Sequence, residues 1–215
     1  MIPGSVPILG RVKRPRLVSV GLAQFDGSSR SLHTFTAVAI GNERPDRKLA
    51  LALYENTPDA GFISVTLGGI ACTQRVGGNQ AHIYTVVAPT GSTADIVIDT
   101  VQNFGVAGVR VYELVDVATE VPFDSAATNL GGSSISVDVP ANGALLAMAH
   151  VNNASGVSPP PVWTGATEEF TLLLNSGTRG ISWATASSLA AETARTINET
   201  GYNPSNGDLV AATWR

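Results

Sequence analysis

Lys48-Leu49-Ala50-Leu51-Ala52-Leu53-Tyr54 is the stretch whose reading decides the fold. Leu49, Leu51 and Leu53 alternate with Ala50, Ala52 and Tyr54, so a strand built from these residues is apolar on both faces. Such a strand lies inside a sheet that is covered on both sides. Roughly one hundred residues later, Ala144 to Val151 has the same two-sided character. Outward from these two centres, Ala94–Ile98, Gly108–Val115 and Ser134–Val139 alternate apolar with polar or second-face residues. Arg16–Phe25, Leu32–Ile40, Phe62–Leu67, His82–Val87, Glu169–Leu174, Gly180–Ala186 and Asp208–Trp214 are rich in strand formers. Turn chemistry separates them, as in Asp26-Gly27-Ser28-Ser29, Gly68-Gly69, Pro89-Thr90-Gly91 and Pro140-Ala141-Asn142-Gly143. Only Ser188–Ile197 has the Ala, Glu and Arg content of a short helix, and its apolar spacing is poor for one. About a dozen strands at the spacing of a sandwich predict an all-β, antiparallel two-sheet β-sandwich over 17–215. A faint internal echo links Val38-Ala39-Ile40-Gly41 and Leu49–Leu53 to Val137-Asp138-Val139-Pro140 and Leu145–Ala149. It reads as two four-stranded keys forming the halves of one sandwich.

Composition agrees. The 215 residues are 44% hydrophobic but only 14% charged, with 22 Gly and 12 Pro. An average soluble domain is about 25% charged. Turn-rich β structure consumes the small and uncharged residues that fill the difference. The single Cys72 excludes an internal disulfide and a cysteine-based zinc site, and its surroundings read as those of a small buried residue. No apolar run reaches the roughly 20 residues of a membrane helix, and the leader does not have the order of a signal peptide.

Charge is divided unevenly. Arg11, Lys13, Arg14 and Arg16 are four of the 13 basic residues, and the first of the 17 acids is Asp26. Residues 1–16 thus carry +4, and the nine bases and 17 acids that follow carry −8. A basic, proline-containing arm on an acidic body is the pattern of a segment that docks onto another chain. The net charge of −4 argues against a general nucleic-acid binder.

Motifs for catalysis are sparse. No two glycines stand two apart, no Gly-Lys of a phosphate loop occurs, and there is no Gly-x-Ser-x-Gly. His33, His82 and His150 are far apart in the chain. The adjacent Glu168 and Glu169 point to opposite faces of a strand, and Asp95 and Asp99 stand roughly 13 Å apart, beyond glycosidase spacing. The expectation is a protein without catalytic residues, metal ligands or cofactor. For sugar binding the candidates are Trp163, beside Ser158-Pro159-Pro160-Pro161, and Tyr202, in Gly201-Tyr202-Asn203-Pro204. Asn152, Asn153 and Asn203 are their amide neighbours. The competing reading of Trp163 is a plug that fastens its loop to the core.

A series of phrases resembles virion structural proteins of tailed bacteriophages, prophages and phage-derived gene transfer agents. The phrases are Phe35–Gly41, Asp46–Ala52, Ser64–Ala71, Pro89–Val97, Val109–Leu114, Val139–Gly143 and Leu209–Arg215. They cover about residues 31–215 in order. The resemblance implies a jelly-roll sandwich carried on a virion as a head spike, decoration or tail component, without a catalytic motif. It implies assembly in the bacterial cytoplasm, capsid, spike or tail subunits as partners, like copies in a cyclic oligomer, and contact with host polysaccharide. A free lectin-like module is the other class the sequence allows.

Overall fold

The computed structural model describes residues 14–57, 61–88, 90–128, 134–152, 161–174, 179–200 and 207–215. The chain is all-β. The first half holds β1 (Arg16–Ser19), β2 (Gln24–Asp26), β3 (Arg30–Ala39), β4 (Lys48–Glu55), β5 (Phe62–Leu67), β6 (Ile70–Ala71), β7 (Thr73–Gly77), β8 (Ala81–Val87), β9 (Thr93–Phe104) and β10 (Ala107–Val115). The second half holds β11 (Asp124–Ala127), β12 (Ser134–Val139), β13 (Gly143–Asn152), β14 (Val162–Thr164), β15 (Thr167–Leu174), β16 (Arg179–Leu189), β17 (Glu192–Thr200) and β18 (Asp208–Trp214).

These strands form four sheets, not two. One sheet of the first half runs β1-β10-β4-β8-β7, with β2 also on β10; the other runs β3-β9-β5-β6. The second half repeats both orders, as β11-β18-β13-β16-β15 and β12-β17-β14. All the pairings are antiparallel. Each half is a β-sandwich in which the chain crosses repeatedly between its two sheets. The echo between Leu49–Leu53 and Leu145–Ala149 therefore joins equivalent strands, β4 and β13, of two complete sandwiches.

The layering follows from the two-sided strands. Leu49, Leu51 and Leu53 pack with Phe35, Val65, Ile96 and Ile98 inside the first sandwich. Leu145, Ala147 and Ala149 pack with Ile135, Val137 and Ile197 inside the second. Two sheets cover only one face of each, so the other faces must meet something else. Ala50, Ala52 and Tyr54 meet Leu146, Met148, Trp183, Ala212 and Trp214 in a third core between the halves. Both tryptophans are fully buried there. The small alanines let the inner sheets approach closely. β1 lies over β13 and β16, and β11 lies against β7, so strands of each half contact the other.

Two local expectations change. The helix that the composition of Ser188–Ile197 suggests is the end of β16 and most of β17. β17 pairs with β12 and with β14, and that pairing overrides the local helix preference. Ser188 and Ala194 absorb the turn and the irregularity with φ of 56° and 54°. The strand expected over Arg16–Phe25 breaks into β1 and β2.

Candidate functional site

Arg14 and Arg16 are exposed at the start of β1, which forms an edge of its sheet. Arg11 and Lys13, the rest of the basic arm, lie outside the described residues. Arg44, from the loop before β4, reaches the same place and forms an ion pair with Glu113 on β10. Its Nε is buried with no hydrogen-bond partner. Arg14, Arg16 and Arg44 line an open groove of about 660 Å³ together with Asp116, Ser187 and Ser188. Arg44 is engaged by Glu113, so Arg14 and Arg16 are the guanidinium groups that favour carboxylate or phosphate oxygens here.

The sugar-binding candidates divide. Trp163 on β14 is half-buried, and its Nε1 donates to Ser182 Oγ at 2.8 Å. It packs against the core of the second sandwich and thereby ties β14 to β16 across the two sheets. Its polar atom is thus engaged inward, as the plug reading requires. Asn152 ends β13. Asn153, Tyr202 and Asn203 lie outside the described residues. β13 and β18 pair with His150 opposite Asp208, so the segments 153–160 and 201–206 are attached at the same end of that sheet.

Sequence reasoning missed a carboxyl group beside Trp163. Glu199 is its register partner on β17 and is buried. Burial, aided by the negative charge of Glu168, pushes the Glu199 pKa up to about 7. Glu168 accepts from the Thr171 hydroxyl at 2.6 Å, and Thr171 also contacts Ser182. The two acids are distant in sequence and belong to different sheets, so no spacing rule joins them.

Two further polar groups hold the fold together. Arg47 is fully buried and donates to four carbonyl oxygens: Ala88 at 2.7 Å, Gly41 at 3.0 Å, Gly91 at 2.7 Å and Thr90 at 2.6 Å. Its fork satisfies two loops at once. Asp208 accepts from the amides of Gln80 at 2.7 Å and Ala81 at 2.9 Å, joining the second half to the first. A Cβ at Gly78 would collide with that carboxylate, so the glycine keeps the approach open. Asp208 also stands 3.4 Å from His150 Nδ1. Cys72 packs on the first core, and burial pushes its thiol up to about 12, which removes thiolate reactivity at neutral pH. Among the described residues, no group of three or more His, Cys, Asp or Glu is arranged to hold a metal.

No family model matches the chain, and no curated protein matches it. Among solved structures it is similar to an anti-sigma factor domain-containing protein, at 7% identity over 91% of this chain and 89% of that one, with a TM-score of 0.24. A likeness that loose carries no argument about fold or function.

Proposed function

We propose that this chain is a non-enzymatic structural protein of a phage-like particle, displayed on its surface as a head spike or decoration component. The observation that supports the reading most is the pair of β-sandwiches, jelly-roll-like in strand order, joined through an apolar core. Jelly rolls are recurrent building units of virion shells and lectins. Filling the space between them with Trp183, Trp214 and alanines makes a rigid body whose outer sheets face outward. A basic leader enters that body at one sheet edge, which suits attachment to an acidic surface on a neighbouring virion protein. The series of phrases resembling virion proteins points the same way. On the particle the chain stands beside like copies, in the closed symmetry that head and tail positions impose. Contact with host polysaccharide belongs to the segments 153–160 and 201–206, and a glycan array with Tyr202→Ala tests it.

Deleting residues 1–16 tests the attachment. The expected product is a folded body, with an unchanged β-type circular dichroism spectrum, that no longer co-purifies with particles. Incorporation at the wild-type level overturns the role of the arm.

A further inference from the structure

The basic groove lies at the start of a strand edge: Arg14 and Arg16 line it on the β1 side, Val115 and Asp116 on the β10 side. β1 pairs with β10 on one side and has no hydrogen-bonded neighbour on the other among the described residues. The amide of Val20 donates to Val111 O on β10. Backbone groups alternate sides along a strand, so the amides and carbonyls of Leu17 and Ser19 face away from β10. Residues from both sides of β1 line the groove: Arg44 comes from the β3–β4 loop, Ser187 and Ser188 from β16 in the other half. Two of the lining residues, Asp116 and Ser188, hold left-handed backbone conformations with φ of 59° and 56°.

The occupant must satisfy both features. A free edge is completed by an extended polypeptide, whose amides and carbonyls repeat at the spacing of the strand. Guanidinium forks recognise carboxylates in a bidentate manner. A phosphate polymer or an acidic sugar supplies the charge but not the ladder. The chain's own leader has the wrong sign, because Arg11 and Lys13 are basic.

We propose that this groove binds an extended acidic segment of a partner polypeptide, which adds a strand to β1 and sets its carboxylates on Arg14 and Arg16. The existence of a partner protein rests on the particle reading; the chemistry of the site does not.

The test titrates a labelled peptide of alternating glutamate and threonine into the full chain. The controls are the glutamine–threonine peptide, tripolyphosphate and oligogalacturonate. The glutamate peptide is expected to bind, to weaken with salt, and to slow hydrogen exchange at the Leu17 and Ser19 amides. The double variant Arg14→Gln/Arg16→Gln alters two exposed side chains, so it should melt like wild type while binding at least about tenfold more weakly. Absence of peptide binding overturns the proposal. So does tighter binding of tripolyphosphate or oligogalacturonate with exchange at Leu17 and Ser19 unchanged. Self-association that the double variant abolishes, with the peptide inert, makes the occupant a second copy and also overturns it. A chain that joins particles yet ignores the peptide sinks this proposal alone. Peptide binding by a chain absent from particles sinks the particle reading alone.

Discussion

Tyr54 and His150 occupy matching positions on β4 and β13 and are in ring contact, with centroids 4.8 Å apart and planes tilted by 34°. Tyr54 lies near the end of β4 and His150 near the end of β13. The contact marks one place where the two halves meet. It also creates a buried polar seam, because Asp208 stands beside His150 and carries the link to Gln80 and Ala81.

The seam and Glu199 make stability depend on pH in opposite senses. Burial holds His150 below its ordinary range, against the pull of Asp208 and with the help of Arg179. The unfolded chain takes up a proton near pH 6.5 that the folded chain refuses, so this contribution is full above about 6.5 and is lost as pH falls below it. Glu199, raised to about 7, keeps a proton that the unfolded chain releases near its ordinary value of 4.5. Its contribution is lost as pH rises from there to about 7. Glu199→Gln removes only the second effect. Its melting temperature should gain on wild type as pH rises through that window; a constant difference across pH contradicts the assignment.

Asp208→Ala removes two charge-assisted bonds to buried amides and leaves those amides unpaired. Hydrogen bonds to charged groups contribute about 1.5–3 kcal/mol each, so a loss of about 3 kcal/mol in denaturant unfolding is expected. Asp208→Asn keeps one acceptor oxygen and should cost less. Equal stability of all three proteins would mean that the two halves are not joined by this carboxylate.

Arg47→Lys preserves the charge but not the fork. A lysine cannot reach the carbonyls of Gly41, Ala88, Thr90 and Gly91 together. The expected cost is about 2–4 kcal/mol, read as a shift in the denaturation midpoint with an unchanged slope. A shift confined to the slope would place the effect in the unfolded chain instead.

The fold was legible where a pattern repeats along one strand. The double-faced Leu49–Tyr54 and Ala144–Val151 announce central strands, and their second apolar faces already demand a third layer. The alternation does not say what covers the second face, which is why four sheets are not legible from it. β6, β11 and β14 are too short to show alternation. Ser188–Ile197 was misread because cross-strand pairing outweighs helix propensity there. At the groove, Arg14 and Arg16 stood out by local charge. Arg44, Ser187 and Ser188 did not, since only the packing of the two halves brings them to β1. Glu199 was hidden for the same reason: Glu168 and Trp163 reach it from other strands.

Particles purified by density gradient and labelled with gold-conjugated antibody against this chain test the central claim most directly. The particle reading predicts label on the outside of the heads, and peptides of the chain in the particle proteome at a constant ratio to the major capsid protein. A chain found only in the soluble fraction, with unlabelled particles, contradicts it.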